Sequence, residues 1–193
     1  MDLGKNHVKV KNGIAYLAAG IGPSAAAFGL THFLEDYRPK IMISVGTAGI
    51  INPKNLSLGD VVCANNAHID SGLTETFTPS LCPAQSWPVP KIAAKYTNSL
   101  KRSNPVSVFC PQEISKTEKR RLALLKKGYD AENLELYAFA YVAKKFKIPH
   151  LALLGMSNHV SPNGHKEWMD NEAQTVGNIS LFLDSLLDQI QKI

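Results

Sequence analysis

No apolar run in this chain of 193 residues approaches the roughly 18 that a membrane span requires. The opening residues, MDLGKNHVKV, also lack the apolar core of a secretory signal. Membrane and secreted classes are therefore not expected, and the protein reads as soluble and cytoplasmic. Cysteine is scarce: Cys63, Cys82 and Cys110 are odd in number and form no CxxC pair, which argues against a disulfide framework and a zinc knuckle and fits a reducing compartment. Aromatic residues make up only 8%, and much of the excess of 21 Lys plus Arg over 16 Asp plus Glu sits between Lys116 and Lys127. A nucleic-acid surface needs basic charge spread with aromatics, so that partner is not expected. Internal repeats and low-complexity segments are absent too. With 45% hydrophobic and 19% charged residues the chain is ordinary globular material, and its length predicts one domain over residues 1–193.

Short apolar runs ending in glycine turns are what the chain does contain. Ile14 to Ala19 ends in Gly20, Ile21 and Gly22, after which Pro23 and Ser24 open an alanine-rich helix. Ile41 to Val45 is a second strand, ending in Gly46, Thr47, Ala48 and Gly49. Strand, helix and strand predict a parallel βαβ unit whose two glycine turns lie at the carboxyl ends of neighbouring strands, where open α/β sheets collect ligands. VVCANNAHID and Val106 to Phe109 read as further strands, with a long proline-rich polar passage, Ser71 to Pro90, between them. Ser115 with Glu118 predicts a capping box for a basic helix closed by Gly128, its charges forming a solvated face. Asn133 to Lys147 is the most regular helix, HLALLGM a strand, and Asn171 to Ile193 a terminal amphipathic helix with Val176, Ile179, Phe182, Leu183, Leu186, Leu187 and Ile190 at helical spacing. The expected fold is a three-layer α/β sandwich with a central mixed sheet.

Two polar residues stand out within this frame. Glu135 shares a helical stripe with Phe139, Val142 and Phe146, so a carboxylate is set on an apolar face and must find donors. A first-turn glutamate satisfied by the helix dipole is one reading, and a carboxylate opening toward the vicinal hydroxyls of a ribose is another. Asn158 ends a strand in the same layer as the glycine turns. Its amide offers one donor arm and one acceptor arm, which can bridge adjacent heteroatoms of a purine edge or cap a turn.

The turn GIGPSAAA, the segment SVGTAGIINPKNLSLGDVV, the helix DAENLELYAFAYVAKKFKIP and the strand running to GMSN together resemble the purine nucleoside phosphorylase and nucleosidase superfamily across most of residues 14–160. Within it Ser157 and Asn158, followed by Val160 and Trp168, look most like the futalosine hydrolases. The methylthioadenosine and S-adenosylhomocysteine nucleosidases usually carry serine-aspartate at that point. The resemblance implies that Glu135 holds the ribose hydroxyls, that Leu134 replaces a methionine under the sugar, and that Asn158 hydrogen-bonds N7 of the departing purine, with Ser157 beside it. Thr47, Ala48 and Gly49 match the turn beneath the ribose and the nucleophile, and Gly20, Ile21 and Gly22 match the first such turn.

Departures from the pattern shape the expectation. Phosphorylases of the superfamily carry a phosphate-binding arginine where this chain has Ser44, so water is the expected nucleophile. The related nucleosidases have an N-terminal strand with a water-activating glutamate, and an arginine near Leu154; both are absent, and the first family strand is read as missing. The resemblance thus implies a cofactor-free, metal-free purine nucleosidase acting on futalosine or 6-amino-6-deoxyfutalosine, in menaquinone biosynthesis. A methylthioadenosine/S-adenosylhomocysteine nucleosidase, a phosphate-dependent phosphorylase and a catalytically silent nucleoside-binding protein are the other readings. A homodimer is expected, because Phe77, Leu81 and Trp87 are large apolar groups in an otherwise polar segment.

Overall fold

A computed structural model describes residues 8–70, 83–91 and 106–190 of the chain. Val8–Lys11 (β1) and Ile14–Leu17 (β2) form a hairpin about Asn12 and Gly13, whose φ angles are 52° and 74°. A two-residue hairpin turn needs left-handed backbone at both positions, and Asn-Gly supplies it at least cost. The hairpin changes the expected connectivity. Instead of joining a parallel βαβ unit, β2 pairs antiparallel with β1 and, among the described residues, has no ladder with the next strand, Met42–Ile50 (β3). A cavity of about 1060 Å³ separates them, walled by Gly13 to Ala19 on one side and Met42 to Val45 on the other.

The main sheet adds Val61–Ile69 (β4), Gln85–Ser86 (β5), Val106–Cys110 (β6), Ala131–Glu132 (β7) and His150–His159 (β8). Its order is β5-β4-β6-β7-β3-β8, and β8 pairs back onto β4, so the sheet curls into a ring. Parallel pairs (β3 with β8, β4 with β6, β6 with β7) coexist with antiparallel ones (β3 with β7, β4 with β5, β4 with β8), which makes the sheet mixed as expected. Residues Gly46 to Gly49 belong to β3 rather than to a turn, because they continue the ladder with β8 as far as Asn158 and His159, with a register shift between Ala48 and Gly49.

Helices cover both faces. Pro23–Asp36 (α1) packs Leu30 and Leu34 against Val142 of Leu136–Phe146 (α3) and against Ile148 just beyond it, and α3 lays Leu136 and Tyr137 over Ala48, Ala152, Leu154 and Met156. Each such side chain contributes on the order of 2 kcal/mol of burial. Gly164–Ile190 (α4) begins seven residues before the amphipathic pattern predicts and sets Phe182, Leu183, Leu186 and Ile190 against Ile43, Leu151 and Leu153. Val176 is 46% exposed rather than a core residue, whereas Thr175 is fully buried where α4 crosses β8. There Gly155 leaves the space that Thr175 and Ile179 fill, and any side chain would collide with both. Glu118–Lys126 (α2) is capped by Thr117, whose Oγ1 accepts the Arg120 N–H at 3.2 Å, and not by Ser115; the Glu118 carboxylate pairs with Arg121 instead.

Trp87 is half-buried, packed against the core with its ring 4.9 Å from that of His150; Phe77 and Leu81 lie outside the described residues. Among the described residues no helix is long and apolar enough to cross a membrane.

Candidate active site

The carboxyl-terminal half of β3 is a crossroads, and its two glycines explain why. A Cβ on Gly46 would stand 3.5 Å from Asn133 Nδ2, and one on Gly49 would stand 3.1 Å from Asn158 Nδ2. Two side-chain amides therefore lie against the strand where side chains would otherwise project. Asn133 Nδ2 donates to the Thr47 carbonyl at 3.0 Å. On the β8 side, Ser157 Oγ lies 3.4 Å from the Ala48 carbonyl and donates to Asn158 Oδ1 at 2.9 Å, while Asn158 Nδ2 donates to the His159 carbonyl at 3.0 Å. These bonds orient the Asn158 amide and leave it one N–H and one lone pair to offer.

Glu135 stands immediately before α3 with its backbone already helical and makes no side-chain capping bond of its own. Its carboxylate does not join the apolar stripe of Phe139, Val142 and Phe146; Oε1 accepts the Gly22 N–H at 2.8 Å, across 113 residues of chain. That donor is available for two reasons. Gly22 caps α1, so its N–H has no helical partner, and its φ of 82° and ψ of 162° are open only to glycine. The remaining carboxylate oxygen can take hydroxyl donors. Gly20, with φ 110°, serves the turn itself, since its bare Cα lets Ala25 pack closely, and the Ile21 side chain is 88% exposed. Leu134 is half-buried between Asn133 and Glu135.

Sequence reasoning missed two members of this cluster as functional groups. Asn133 accepts the N–H groups of Glu135 and Leu136 at 3.0 and 2.8 Å, so it is the cap of α3 where a first helical residue was expected. An asparagine two residues before a glutamate, at the foot of a helical pattern, was the available signal. Trp168 on α4 donates its indole N–H to Thr47 Oγ1 at 3.3 Å and stacks on His165, with ring centroids 5.8 Å apart. Behind it Glu167 Oε2 accepts both the backbone N–H and Nδ1 of His159, at 2.7 and 3.0 Å, and this pins the residue after Asn158.

Ser44 is buried, its hydroxyl 2.8 Å from His150 Nε2, and Leu154 is core. Burial pushes the His150 imidazole down to about 3, so the ring is neutral in the folded protein. An unfolded chain takes up that proton near its ordinary pKa of about 6.5. The stabilisation is therefore complete above that value and is lost as pH falls toward 3, at about 1.4 kcal/mol per unit. Denaturant titrations at pH 7 and pH 5 should differ by about 2 kcal/mol from this group alone, and His150→Gln, which cannot protonate, should flatten the difference; an unchanged pH dependence in the variant would remove the assignment.

Thiol chemistry finds no support at this site. Burial raises Cys110 to about 12 and Cys63 to about 11, and the Cys110 sulfur accepts the Tyr137 N–H at 3.3 Å. Glu132, on β7 opposite Gly49, is buried, takes the Ser115 N–H at 2.9 Å, and has its carboxyl pKa raised by burial. Among the described residues no group of three or more His, Cys, Asp or Glu side chains is placed to hold a metal ion.

The sequence profile of the phosphorylase superfamily matches residues 7–188. A 5′-methylthioadenosine/S-adenosylhomocysteine nucleosidase from Baumannia cicadellinicola is 24% identical over 194 aligned positions, covering 92% of this chain and 82% of that protein. Among solved structures, the Helicobacter pylori nucleosidase MTAN, as a mutant with 5′-methylthioadenosine in its active site, superposes with a TM-score of 0.83 at 17% identity, over 94% of this chain and 84% of the other. Futalosine hydrolase from Helicobacter pylori strain 26695 superposes with a TM-score of 0.79, also at 17% identity, over 91% and 78%.

Proposed function

The chain belongs to the phosphorylase superfamily, and from that premise we propose that it hydrolyses the N-glycosidic bond of a purine nucleoside, with futalosine or 6-amino-6-deoxyfutalosine as substrate and a place in menaquinone biosynthesis. The observation that carries the reading is the Glu135 carboxylate, held through one oxygen by the Gly22 N–H at 2.8 Å and joined through Asn133 to Thr47. A carboxylate so anchored presents its other oxygen to the 2′ and 3′ hydroxyls of a ribose. As the bond to the base lengthens, positive charge grows on the sugar and negative charge on the purine. Glu135 meets the first and the free N–H of Asn158 meets the second at N7. An amide does not titrate usefully, so Asn158 acts as a hydrogen-bond donor and not as a Brønsted acid. Water enters from the opposite face of the sugar; as its oxygen bonds to the sugar carbon it gives up a proton to solvent, and the departed purine anion takes one from solvent, so the products are the free sugar and the neutral base. The absence of a cation at position 44, where Ser44 is bonded to His150, favours water over phosphate as nucleophile.

A second reading is a 5′-methylthioadenosine/S-adenosylhomocysteine nucleosidase, favoured by the curated relative and by the MTAN structures among the neighbours. Incubation with futalosine, its 6-amino form, methylthioadenosine, S-adenosylhomocysteine and inosine, with and without phosphate, separates the possibilities. Free hypoxanthine from futalosine without phosphate is expected. Release that requires phosphate would make the protein a phosphorylase, and no release from any nucleoside would make it a silent binder.

Assembly as a homodimer belongs to the same proposal and rests on Phe77, Leu81 and Trp87 in an otherwise polar segment. Sedimentation at micromolar concentration should give twice the monomer mass; a monomer would remove it.

A further inference from the structure

Strand β7 ends at Glu132, paired with Gly49. One further step of that antiparallel ladder would set residue 133 against Ala48, but the chain leaves the sheet here for α3, and the Asn133 backbone N–H goes to the Phe109 carbonyl at 3.1 Å. The strand left behind has a polar edge to satisfy. Met42 N–H points toward β8, reaching the Pro149 carbonyl at 2.9 Å, and the alternation of an extended strand then turns the N–H and C=O of Thr47 away from β8. Where the ladder stops, a side chain takes over: Asn133 Nδ2 holds the Thr47 carbonyl at 3.0 Å, while Oδ1 accepts from Glu135 and Leu136 at 3.0 and 2.8 Å. Gly46 leaves room for this, its missing Cβ lying 3.5 Å from Nδ2. One amide thus ties the start of α3 to the middle of β3 by both of its arms.

We propose that Asn133 is a positioning residue that sets the Glu135 carboxylate against the Gly22 N–H and in register with Thr47. It acts through Glu135 and not on substrate. The inference rests on the reading of Glu135 as the sugar-binding carboxylate, although the clamp itself is a matter of backbone geometry. A plain helix cap and a positioning clamp make different demands. A cap needs only an oxygen acceptor, which aspartate provides as well as asparagine. The clamp also needs the Nδ2 donor, and an ionised carboxylate there would face the Thr47 carbonyl oxygen with no proton between them, so the comparison is made on the alkaline side of neutrality, where the carboxyl gives up its proton.

Asn133→Asp separates the two roles. The variant keeps the cap of α3, and beyond whatever melting temperature the buried carboxylate costs, kcat should fall by at least about tenfold with a smaller change in KM, as displacement of a catalytic group by an ångström or less commonly costs. A second readout does not depend on turnover: the Gly22 amide, protected in the wild type by Glu135, should lose at least about tenfold of its hydrogen-exchange protection. Wild-type kinetics and wild-type Gly22 protection in Asn133→Asp would overturn the proposal. A fall in kcat with Gly22 protection intact would overturn it too, since the loss would not pass through Glu135. If the wild type releases base from no nucleoside, the nucleosidase reading fails by itself and the Gly22 amide alone decides the clamp. Asn133→Ala, which removes cap and clamp together, should lose thermal stability as well as Gly22 protection, and retained protection in that variant would count against the proposal.

Discussion

Glu135→Gln is expected to lower kcat/KM for nucleoside hydrolysis by at least tenfold, and by closer to a hundredfold if both sugar hydroxyls are lost as charge-assisted partners. The change preserves shape and removes charge. Hydrogen bonds to a carboxylate are worth about 1.5 to 3 kcal/mol each, roughly twice their neutral counterparts, and about 1.4 kcal/mol is a factor of ten in rate. The Gly22 N–H adds to the loss. It donates to Oε1 at 2.8 Å, and in the variant it faces either a neutral amide oxygen or, after a flip of the amide, another donor. The fold should survive, because Glu135 is only half-buried and the cap of α3 comes from Asn133. Steady-state kinetics beside a circular-dichroism melt makes the comparison, and unchanged turnover would reject the sugar-binding role.

The layers of the fold were legible because they rest on local patterning. Apolar runs of four to six residues bounded by glycine and separated by helical periodicity specify strands and helices whatever their neighbours, and α3, β4, β6 and β8 fall close to where that pattern puts them. What local pattern does not hold is which edge a strand will pair with. For β2 the deciding signal was nevertheless present: VKVK, Asn12-Gly13 and IAYL form a hairpin whose loop is two residues long, against a crossover of more than twenty to reach β3. Short loop closure costs less entropy, and the nearer partner wins.

The site shows the same division. Gly22, Thr47, Ala48, Glu135, Ser157 and Asn158 were marked by residue type and resemblance, and direct bonds join Gly22 to Glu135 and Ala48 to the Ser157–Asn158 pair. Asn133 and Trp168 connect the rest, and their importance lies in bonds spanning 86 and 121 residues, which no spacing rule carries. The segment Gly46 to Gly49 was misread as a turn for a related reason. Its glycines are there to admit the amides of Asn133 and Asn158 against a continuous strand, and a sequence shows the missing Cβ atoms without showing what fills the space.

Asn158→Asp should shift the preference of the protein from 6-oxo toward 6-amino purine nucleosides by at least tenfold in the ratio of kcat/KM, or about 1.4 kcal/mol of differential transition-state binding. In the wild type the amide is oriented by its surroundings: Oδ1 receives the Ser157 hydroxyl at 2.9 Å and Nδ2 gives one hydrogen to the His159 carbonyl at 3.0 Å. The second hydrogen of Nδ2 is left for N7 of the base, and a donor that cannot release a proton suits a purine that leaves readily as the 6-oxo form. Aspartate in the same place would bring a carboxylate oxygen against the His159 carbonyl, with Glu167 fixed on the far side of His159. Both push toward protonation, and a carboxyl kept neutral near pH 7 can pass its proton to N7 outright, which the poorer adenine leaving group requires. The measurement is kcat/KM for futalosine and for its 6-amino form in both proteins across pH 5 to 8. In the variant, activity on the amino substrate should fall as pH rises and the carboxyl at position 158 ionises, a limb that the wild-type amide cannot produce. A wild type that already prefers the amino form, together with a ratio that Asn158→Asp leaves in place, would move base recognition elsewhere, with the buried Glu132 carboxyl across Gly49 the next residue to change.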